Sequence, residues 1–435
     1  MEQIPDETET IAAKRSQRLA EKLKKAGERI RKTEAWWNSS YFEFFLLILV
    51  LVINLYSVSS YFGTATFYDT FYSGPVIPLL AKLLEMTGVS LGYGFQLINL
   101  VFFLLFPIPF YYLVKAIMGR KIIALLSILL ISLPFYPFAS VRIYSSLVGV
   151  DGAHISSLTV SVIALYWIFK FVRDGGSKNL SLASIFSALV ALISPFGFST
   201  YLIMALILTF SEMLLGLGRV KLFRFSAIMF FSACLVAFWY NPHFSFWMLT
   251  GSLGEEVRRV IFKLLPISFF AIPALGAFGY LLFDRKPSLQ PVFLASFYTI
   301  AFAMISLVGG GVFPSHPSRY VAELGIGLAL LVSVILIKIA ESLSIFENNK
   351  FYFRFGIVVL LIGMSLVIIL GNSNVSYSSQ VLGIWTGVEK GTIWQERDRF
   401  GGVSSIIGFI ISFVAITSLS YINIKTKNSS AELTS

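Results

Sequence analysis

The sequence predicts an all-α fold, a polytopic transmembrane helical bundle of about 12 spans. Two observations lead to this fold class. Apolar residues make up 56% of the 435 residues and charged residues only 13%, and the mean hydropathy is +0.79. A soluble domain carries about 25% charged residues. The apolar residues also fall in blocks of roughly 17–25, the length that an α-helix needs to cross the hydrocarbon core.

Each apolar block between polar flanks is interpreted as one span. The predicted spans are 42–60, 95–114, 122–138, 155–171, 181–195, 198–215, 225–240, 260–283, 291–308, 319–337, 355–371 and 403–422. An even number of spans places both termini on the same side of the membrane.

Lysine and arginine are distributed unevenly between the alternate loops. With the termini included, one set of loops holds 25 of them and the opposite set holds 9. Cytoplasmic loops are rich in these residues, so we expect a multi-pass protein of the plasma membrane with both termini cytoplasmic. The basic loops are interpreted as topology signals. Because the net charge of +11 sits in short loops between spans, nucleic acid is excluded as a partner.

The chain divides into three regions. Residues 1–40 form a basic, amphipathic cytoplasmic segment, with nine Lys and Arg between 11 and 32. This segment either binds anionic lipid head groups or is a solvated helix that only sets topology, and the sequence favours neither. Residues 41–423 form the transmembrane domain, and 424–435 form a cytoplasmic tail.

Two predicted external loops, 61–94 and 372–402, are far longer than the roughly 2–8 residues that usually connect packed helices. In the first of them Asp69 lies among aromatic residues. The apolar stretch 76–86 follows, is too short to cross the membrane, and is expected to lie in the outer interface as a helix. Asp69 is then either a carboxylate held just above the membrane surface or an Asp that caps a turn.

Asp151 and His154 lie directly before the fourth predicted span, and Arg142 precedes them in the same connection. An Asp and a His three residues apart at a helix start share one face of the helix. Asp151 is also a candidate N-cap for the first turn. The pair is a candidate metal site, proton relay or phosphate site. The alternative is an N-cap followed by an interfacial histidine.

His316, Arg319 and Glu323 mark the entrance to the tenth predicted span. Arg319 and Glu323 are four residues apart, so they can pair on one helical face. The guanidinium fork fits phosphate oxygens, which makes Arg319 the preferred phosphate ligand. Alternatively, Arg319 only extends to the membrane interface. All three histidines of the chain, His154, His243 and His316, fall on the predicted external side.

Several other kinds of site are absent from the sequence. It contains no Walker A motif, no His-Glu-x-x-His and no Gly-x-Ser-x-Gly. Cys234 is the single cysteine, so no intramolecular disulfide forms and no cysteine cluster is available for zinc. The residues assign no cofactor with certainty. A divalent cation at the acidic residues is the one candidate.

Four features form a pattern: Asp69 with an interfacial helix, Asp151-Gly-Ala-His154, a Ser194-Pro-Phe-Gly hairpin and a Pro-Ser-Arg319-Tyr span entrance. This pattern resembles the GT-C class of polytopic glycosyltransferases and related prokaryotic membrane proteins with an Asp-Gly-x-His element. The resemblance implies transfer of a sugar on the outer face from a polyprenyl-phosphate-linked donor. It implies Asp69 as the first candidate base, Asp151 and His154 as a second acidic site, and Arg319 as the ligand of the lipid phosphate.

On this interpretation the substrate-binding residues are His154, Arg142, His316, Arg319 and Glu323. The expected partners are membrane lipids, the sugar donor, and an envelope protein or glycan. Two other classes stay open, a polytopic transporter or lipid-handling carrier and a non-catalytic membrane scaffold of an envelope assembly. Carriers usually place ionisable groups near the bilayer midplane. This sequence places them at the span ends, which favours the enzyme.

Overall fold

The computed structural model describes residues 40–59, 74–148, 151–250, 290–308, 320–342 and 401–432. All secondary-structure elements among them are helices, which confirms the all-α prediction. In chain order they are α1 (Ser40–Val58), α2 (Val76–Glu85), α3 (Leu91–Leu105), α4 (Pro107–Met118), α5 (Lys121–Ile131), α6 (Ala139–Ile143), α7 (Gly152–Asp174), α8 (Ser177–Ile193), α9 (Pro195–Met213), α10 (Gly218–Val236), α11 (Pro242–Thr250), α12 (Gln290–Val308), α13 (Val321–Ser342) and α14 (Val403–Glu432).

Within the described residues, five helical segments are long and apolar enough to cross a membrane, as expected of a multi-pass membrane protein. They are Tyr41–Val58, Leu91–Met118, Gly152–Asp174, Pro195–Met213 and Val403–Thr426. Each overlaps a predicted span. Shorter apolar helices overlap four more predicted spans, at Lys121–Ile131, Ser177–Ile193, Gln290–Ala303 and Val321–Ile337. The predicted span 225–240 overlaps α10, which is not among these apolar segments. The predicted spans 260–283 and 355–371 lie outside the described residues, so the total of 12 stays a prediction.

Helix α5 ends earlier than the sequence predicts. The predicted span runs over 122–138, but α5 ends at Ile131 and has 11 residues. Pro134 and Pro137 follow, and proline removes a backbone donor and collides with the preceding helical turn, so the helix does not continue through them. At 1.5 Å per residue α5 is about 16 Å long. Its last residue is fully buried, so this helix ends inside the bundle.

Helix α7 is the central helix of the bundle. It packs most extensively on α8 and also contacts α3, α4 and α9. Small residues let α7 and α9 approach closely, since a Cβ added to Gly197 of α9 would lie only 1.8 Å from Ser157 Oγ of α7. The Ser156 hydroxyl donates a hydrogen bond to Asn99 Oδ1 of α3 at 2.8 Å. Small residues and interhelical hydrogen bonds of this kind hold membrane helices together, so the start of α7 is firmly positioned.

Helix α7 also connects two ends of the bundle that bury charged groups. It has 23 residues and is about 35 Å long. Its first turn lies at what we call the Asp151 end. In its last turn Arg173 Nη2 lies 3.0 Å from Glu212 Oε1 of α9, at what we call the Glu212 end. The two ends are therefore separated by roughly the thickness of the hydrocarbon core.

Candidate functional site

A break in the helical chain positions Asp151. Helix α6 continues into a π-helical turn, Tyr144–Val148, and α7 begins at Gly152. The Gln96 side chain of α3 donates a hydrogen bond to the Leu147 carbonyl oxygen at 3.1 Å, which fixes the turn against α3. Short π-helical turns occur frequently at functional sites. Asp151 therefore lies at a defined break between two packed helical segments.

Three side chains meet at the Asp151 end, and we call Asp151, His154 and Glu323 the triad. His154 Nδ1 lies 2.9 Å from Asp151 Oδ2, and His154 Nε2 lies 2.7 Å from Glu323 Oε1. His154 and Glu323 are 0% exposed and Asp151 is 5% exposed. The second contact joins α7 to α13 across 169 residues of sequence. Both imidazole nitrogens therefore face a carboxylate.

The two contacts of His154 determine how many protons the triad holds. A neutral imidazole has one N–H donor and one bare nitrogen, and an ionised carboxylate only accepts hydrogen bonds. If both carboxylates were ionised and the imidazole were neutral, one of the two contacts would have no hydrogen atom between nitrogen and oxygen. Each contact is a hydrogen bond only if the triad carries one additional proton, either on the imidazole or on a carboxyl group. The two distances therefore fit a triad that carries one additional proton, and we infer this proton-loaded state from them.

Aromatic rings cover the triad on one side. The Phe196 ring meets the His154 ring edge-on with centroids 4.8 Å apart, and the Tyr320 ring lies 5.4 Å from that of Phe196. Phe196 belongs to the first turn of α9, where Ser194 Oγ accepts a hydrogen bond from the Gly197 N–H at 3.0 Å. The N-cap thus holds Phe196 against the imidazole. An apolar cover of this kind strengthens the electrostatic interactions beneath it.

Glu323 retains an oxygen that is available to a further donor. Among the described residues, Glu323 Oε2 and the Tyr298 hydroxyl are buried and make no hydrogen bond. Tyr298 lies on α12, which packs along α13. A buried polar atom without a partner costs roughly 1–3 kcal/mol, and such atoms commonly mark the position of a water or a ligand group. The Glu323 carboxylate can therefore accept one more hydrogen bond beside α12.

Arg142 lies inside the bundle and apart from the triad. Its side chain is 1% exposed, and its guanidinium lies over the Phe106 and Phe103 rings at 4.3 and 5.2 Å. Nη2 donates to the Ile131 carbonyl oxygen at 3.0 Å, whereas Nε and Nη1 have no hydrogen-bond partner among the described residues. The sequence places Arg142 in an external connection. The structure places it against the buried end of α5 instead, because that connection folds into α6.

The structure brings three of the predicted site residues, the triad, into contact and places Arg142 elsewhere. The remaining predicted site residues, Asp69, His316 and Arg319, lie outside the described residues, so their roles stay predictions. Asp151 occupies the N-cap position of α7, as the sequence suggests, but its side chain makes no cap hydrogen bond. Its carboxylate contacts the imidazole three residues further along instead. Glu323, predicted to pair with Arg319, contacts the same imidazole.

Sequence reasoning missed two side chains that shape the site. Asn99 accepts the Ser156 hydrogen bond and lies where a Cβ on Gly152 would approach its Nδ2 to 2.0 Å. Its signal was available, since an amide inside an apolar span needs a polar partner. Phe196 is part of the Ser194-Pro-Phe-Gly element, but nothing in the sequence distinguishes its ring from those of the other phenylalanines, of which the chain has 42 in all. Its role depends on a contact between α7 and α9 that no local pattern specifies.

Within the described ranges, no group of three or more His, Cys, Asp and Glu side chains is arranged to hold a metal ion. No family model, characterised protein or solved structure matches the chain. The function therefore has to be argued from the geometry of the site.

Proposed function

We propose that the protein is a membrane glycosyltransferase that moves a sugar from a polyprenyl-phosphate-linked donor to an acceptor on the outer face of the membrane. The observation that carries this proposal is the buried chain of hydrogen bonds from Asp151 through His154 to Glu323. It lies at one end of an apolar helical bundle, next to a break in the helical chain. A donor confined to the bilayer meets its acceptor at such an end.

Sugar transfer to a hydroxyl group requires a base for the hydroxyl proton. Asp151 is the triad member nearest to the helix break and the only one of the three with measurable exposure. When the triad lacks its additional proton, one of its two contacts has no hydrogen, and the triad then binds a proton strongly. The acceptor proton enters at Asp151 and is shared with His154 and Glu323. The proton-loaded geometry is the state that follows deprotonation of the acceptor, and the triad has to release this proton before Asp151 can act as a base in the next turnover.

The test is transfer of a labelled sugar from a polyprenyl-phosphate donor by the purified protein. Asp151→Asn keeps the shape of the side chain and removes its basicity, so turnover should fall by about 10²–10⁴-fold, the usual contribution of a general base. Asp174→Asn is the matched control, because it makes the same change at the other end of α7, where Asp174 is exposed. The control should retain wild-type turnover.

Asp69 stays the alternative base that the sequence predicts. Loss of turnover in Asp69→Asn but not in Asp151→Asn would leave the proposed reaction in place and move the base to Asp69. If the wild-type protein transfers the sugar and both Asp69→Asn and Asp151→Asn do so at the same rate, neither residue is the base.

A proton-coupled carrier is the second candidate, and Arg142 favours it. Carriers hold ionisable groups inside the bundle. The Arg142 guanidinium is buried beside Ile131, about 16 Å along α5 from Lys121. No carboxylate pairs with Arg142 among the residues that the structure describes. A buried cation without a counter-charge is costly, so an anionic cargo bound at Arg142 would offset that cost, and the triad would supply the proton.

One reconstitution separates the two candidates. Wild-type protein is placed in vesicles with labelled polyprenyl-phosphate sugar in one leaflet, a hydroxyl-bearing acceptor on the same side, and a pH gradient across the bilayer. The glycosyltransferase proposal expects a labelled glycoside and no dependence on the gradient. Movement of intact donor to the other leaflet, driven by the gradient and lost in Arg142→Gln, would establish the carrier instead.

A further inference from the structure

A second site lies at the Glu212 end, away from the triad. A cavity of about 290 Å³ opens where α4 ends and α5 begins, next to the last turn of α7 and the start of α12. Its polar wall is formed by Arg120, Arg173 and Gln290. Its apolar wall includes Ile117 and Val334. The cavity is near the lower end of the roughly 300–1,000 Å³ range of small-molecule sites, so it is of head-group size.

The charges around this cavity are held in place by two ion-pair networks. Glu212 is 0% exposed and accepts hydrogen bonds from Arg173 Nη2 at 3.0 Å and Gln290 Nε2 at 2.6 Å, with Lys221 Nζ 3.5 Å from its other oxygen. In the second network Lys115 and Lys121 both pair with Glu43. Arg120 stands between these two lysines in sequence, at the turn that leads from α4 into α5.

Among the described groups of the two networks and the cavity wall, cations outnumber carboxylates. The two networks and Arg120 contain five cations, Lys115, Arg120, Lys121, Arg173 and Lys221, against two carboxylates, Glu43 and Glu212. Glu43, Lys115, Arg173 and Glu212 lie at the ends of helical segments long enough to cross a membrane, which is the depth of lipid phosphates. A cavity with a cationic mouth and apolar walls at that depth is complementary to an anionic amphiphile.

We propose that this cavity binds the phosphate head group of an anionic phospholipid. Arg120 and Arg173 face the phosphate, and the apolar wall continues along the acyl chains. The sequence predicts that this end faces the cytoplasm, where the anionic lipids of the inner leaflet are found. A soluble phosphate compound fits less well, since Ile117, Ile123 and Ile337 would contact no apolar part of it. The site does not depend on the proposed sugar transfer.

The test is native mass spectrometry of the full-length protein titrated with short-chain phosphatidylglycerol, with phosphatidylcholine as the neutral-charge comparison. The wild-type protein should retain one phosphatidylglycerol at concentrations that leave phosphatidylcholine unbound. Arg120→Gln should weaken that binding by about tenfold, the loss of one charge-assisted contact. Lys178→Gln is the matched control, because Lys178 is exposed at the same end and does not line the cavity. It should bind as the wild type does.

A second variant tests the cavity rather than the charge. Ala116 lines the cavity, so Ala116→Leu should fill part of it and also weaken phosphatidylglycerol binding while the charges stay unchanged. Equal binding of both lipids by the wild type, or wild-type binding by Arg120→Gln and Ala116→Leu, would overturn the proposal. Displacement of the lipid by millimolar inorganic phosphate would also overturn it, because the site would then recognise free phosphate.

Discussion

The Asp151 end and the Glu212 end each bury a glutamate completely, yet they satisfy it in different ways. Glu212 is 0% exposed and meets the fixed cations Arg173 and Lys221. Glu323 is equally buried but meets an imidazole whose other nitrogen faces a second carboxylate. A lysine or arginine keeps its charge near neutral pH, whereas a histidine between two carboxylates requires an additional proton. The Glu212 end therefore carries fixed charges that stabilise the fold, whereas the Asp151 end carries a charge that moves with a proton.

The largest expected effect is at the Glu212 end. Glu212→Gln leaves Arg173 and the nearly buried Lys221 without their counter-charge, and removing one partner of a buried ion pair costs about 3–5 kcal/mol. The measurement is the free energy of unfolding in detergent. Glu85→Gln makes the same change in an exposed ion pair with Lys82 and should change it by less than about 1 kcal/mol. Equal effects of the two variants would show that burial does not distinguish them.

The second effect is a pH dependence that only the Asp151 end should show. Unfolded histidine and carboxyl groups have released their protons above about pH 7, but the folded triad keeps one. Because the folded state then binds more protons, the free energy of unfolding should fall as the pH rises, by up to about 1.4 kcal/mol per pH unit. Thermal unfolding between pH 7 and 9 measures this slope.

The controls for that slope are two histidine variants. His154→Gln should flatten it, since glutamine stores no proton. His243→Gln removes an exposed histidine of α11 and should leave the slope at its wild-type value. A slope that persists unchanged in His154→Gln would contradict the proton count at the triad.

The sequence predicts part of the Asp151 end but not the ion pairs of the Glu212 end, and the difference has a physical reason. Membrane thickness dictates helix length, so the apolar blocks locate the five membrane-length segments of the described residues. The spacing of Asp151 and His154 brings these two side chains together through local helix geometry. The contact with Glu323 spans 169 residues, and no local pattern states which helix faces which. The basic residues of the Glu212 end were interpreted as topology signals only. Arg173 in fact pairs with the fully buried Glu212, although its own side chain is 40% exposed.

The third effect concerns the packing that positions the triad. A Cβ on Gly152 would lie 2.0 Å from Asn99 Nδ2, so Gly152→Ala forces that amide away from Ser156. Overpacking of this kind typically costs about 1–3 kcal/mol of unfolding free energy. All three of the nearest atoms belong to Asn99. The double variant with Asn99→Ala should therefore be no less stable than Asn99→Ala alone. If the unfolding free energy changes of the two single variants simply add in the double variant, the strain in Gly152→Ala does not come from Asn99.

The smallest effect should come from Lys121→Gln at the Glu212 end. Glu43 pairs with both Lys115 and Lys121, whose side chains are about one-third exposed. Either lysine alone supplies the counter-charge, so losing one should change the unfolding free energy by no more than about 1 kcal/mol. Losing both in Lys115→Gln/Lys121→Gln should cost clearly more than the sum of the single changes, because Glu43, which is nearly buried, is then left unpaired. The triad has no such redundancy, since each carboxylate has its own imidazole nitrogen. Additive single and double changes would show that Glu43 is solvated well enough to need neither lysine, and the contrast between fixed and movable charge would then rest on Glu212 alone.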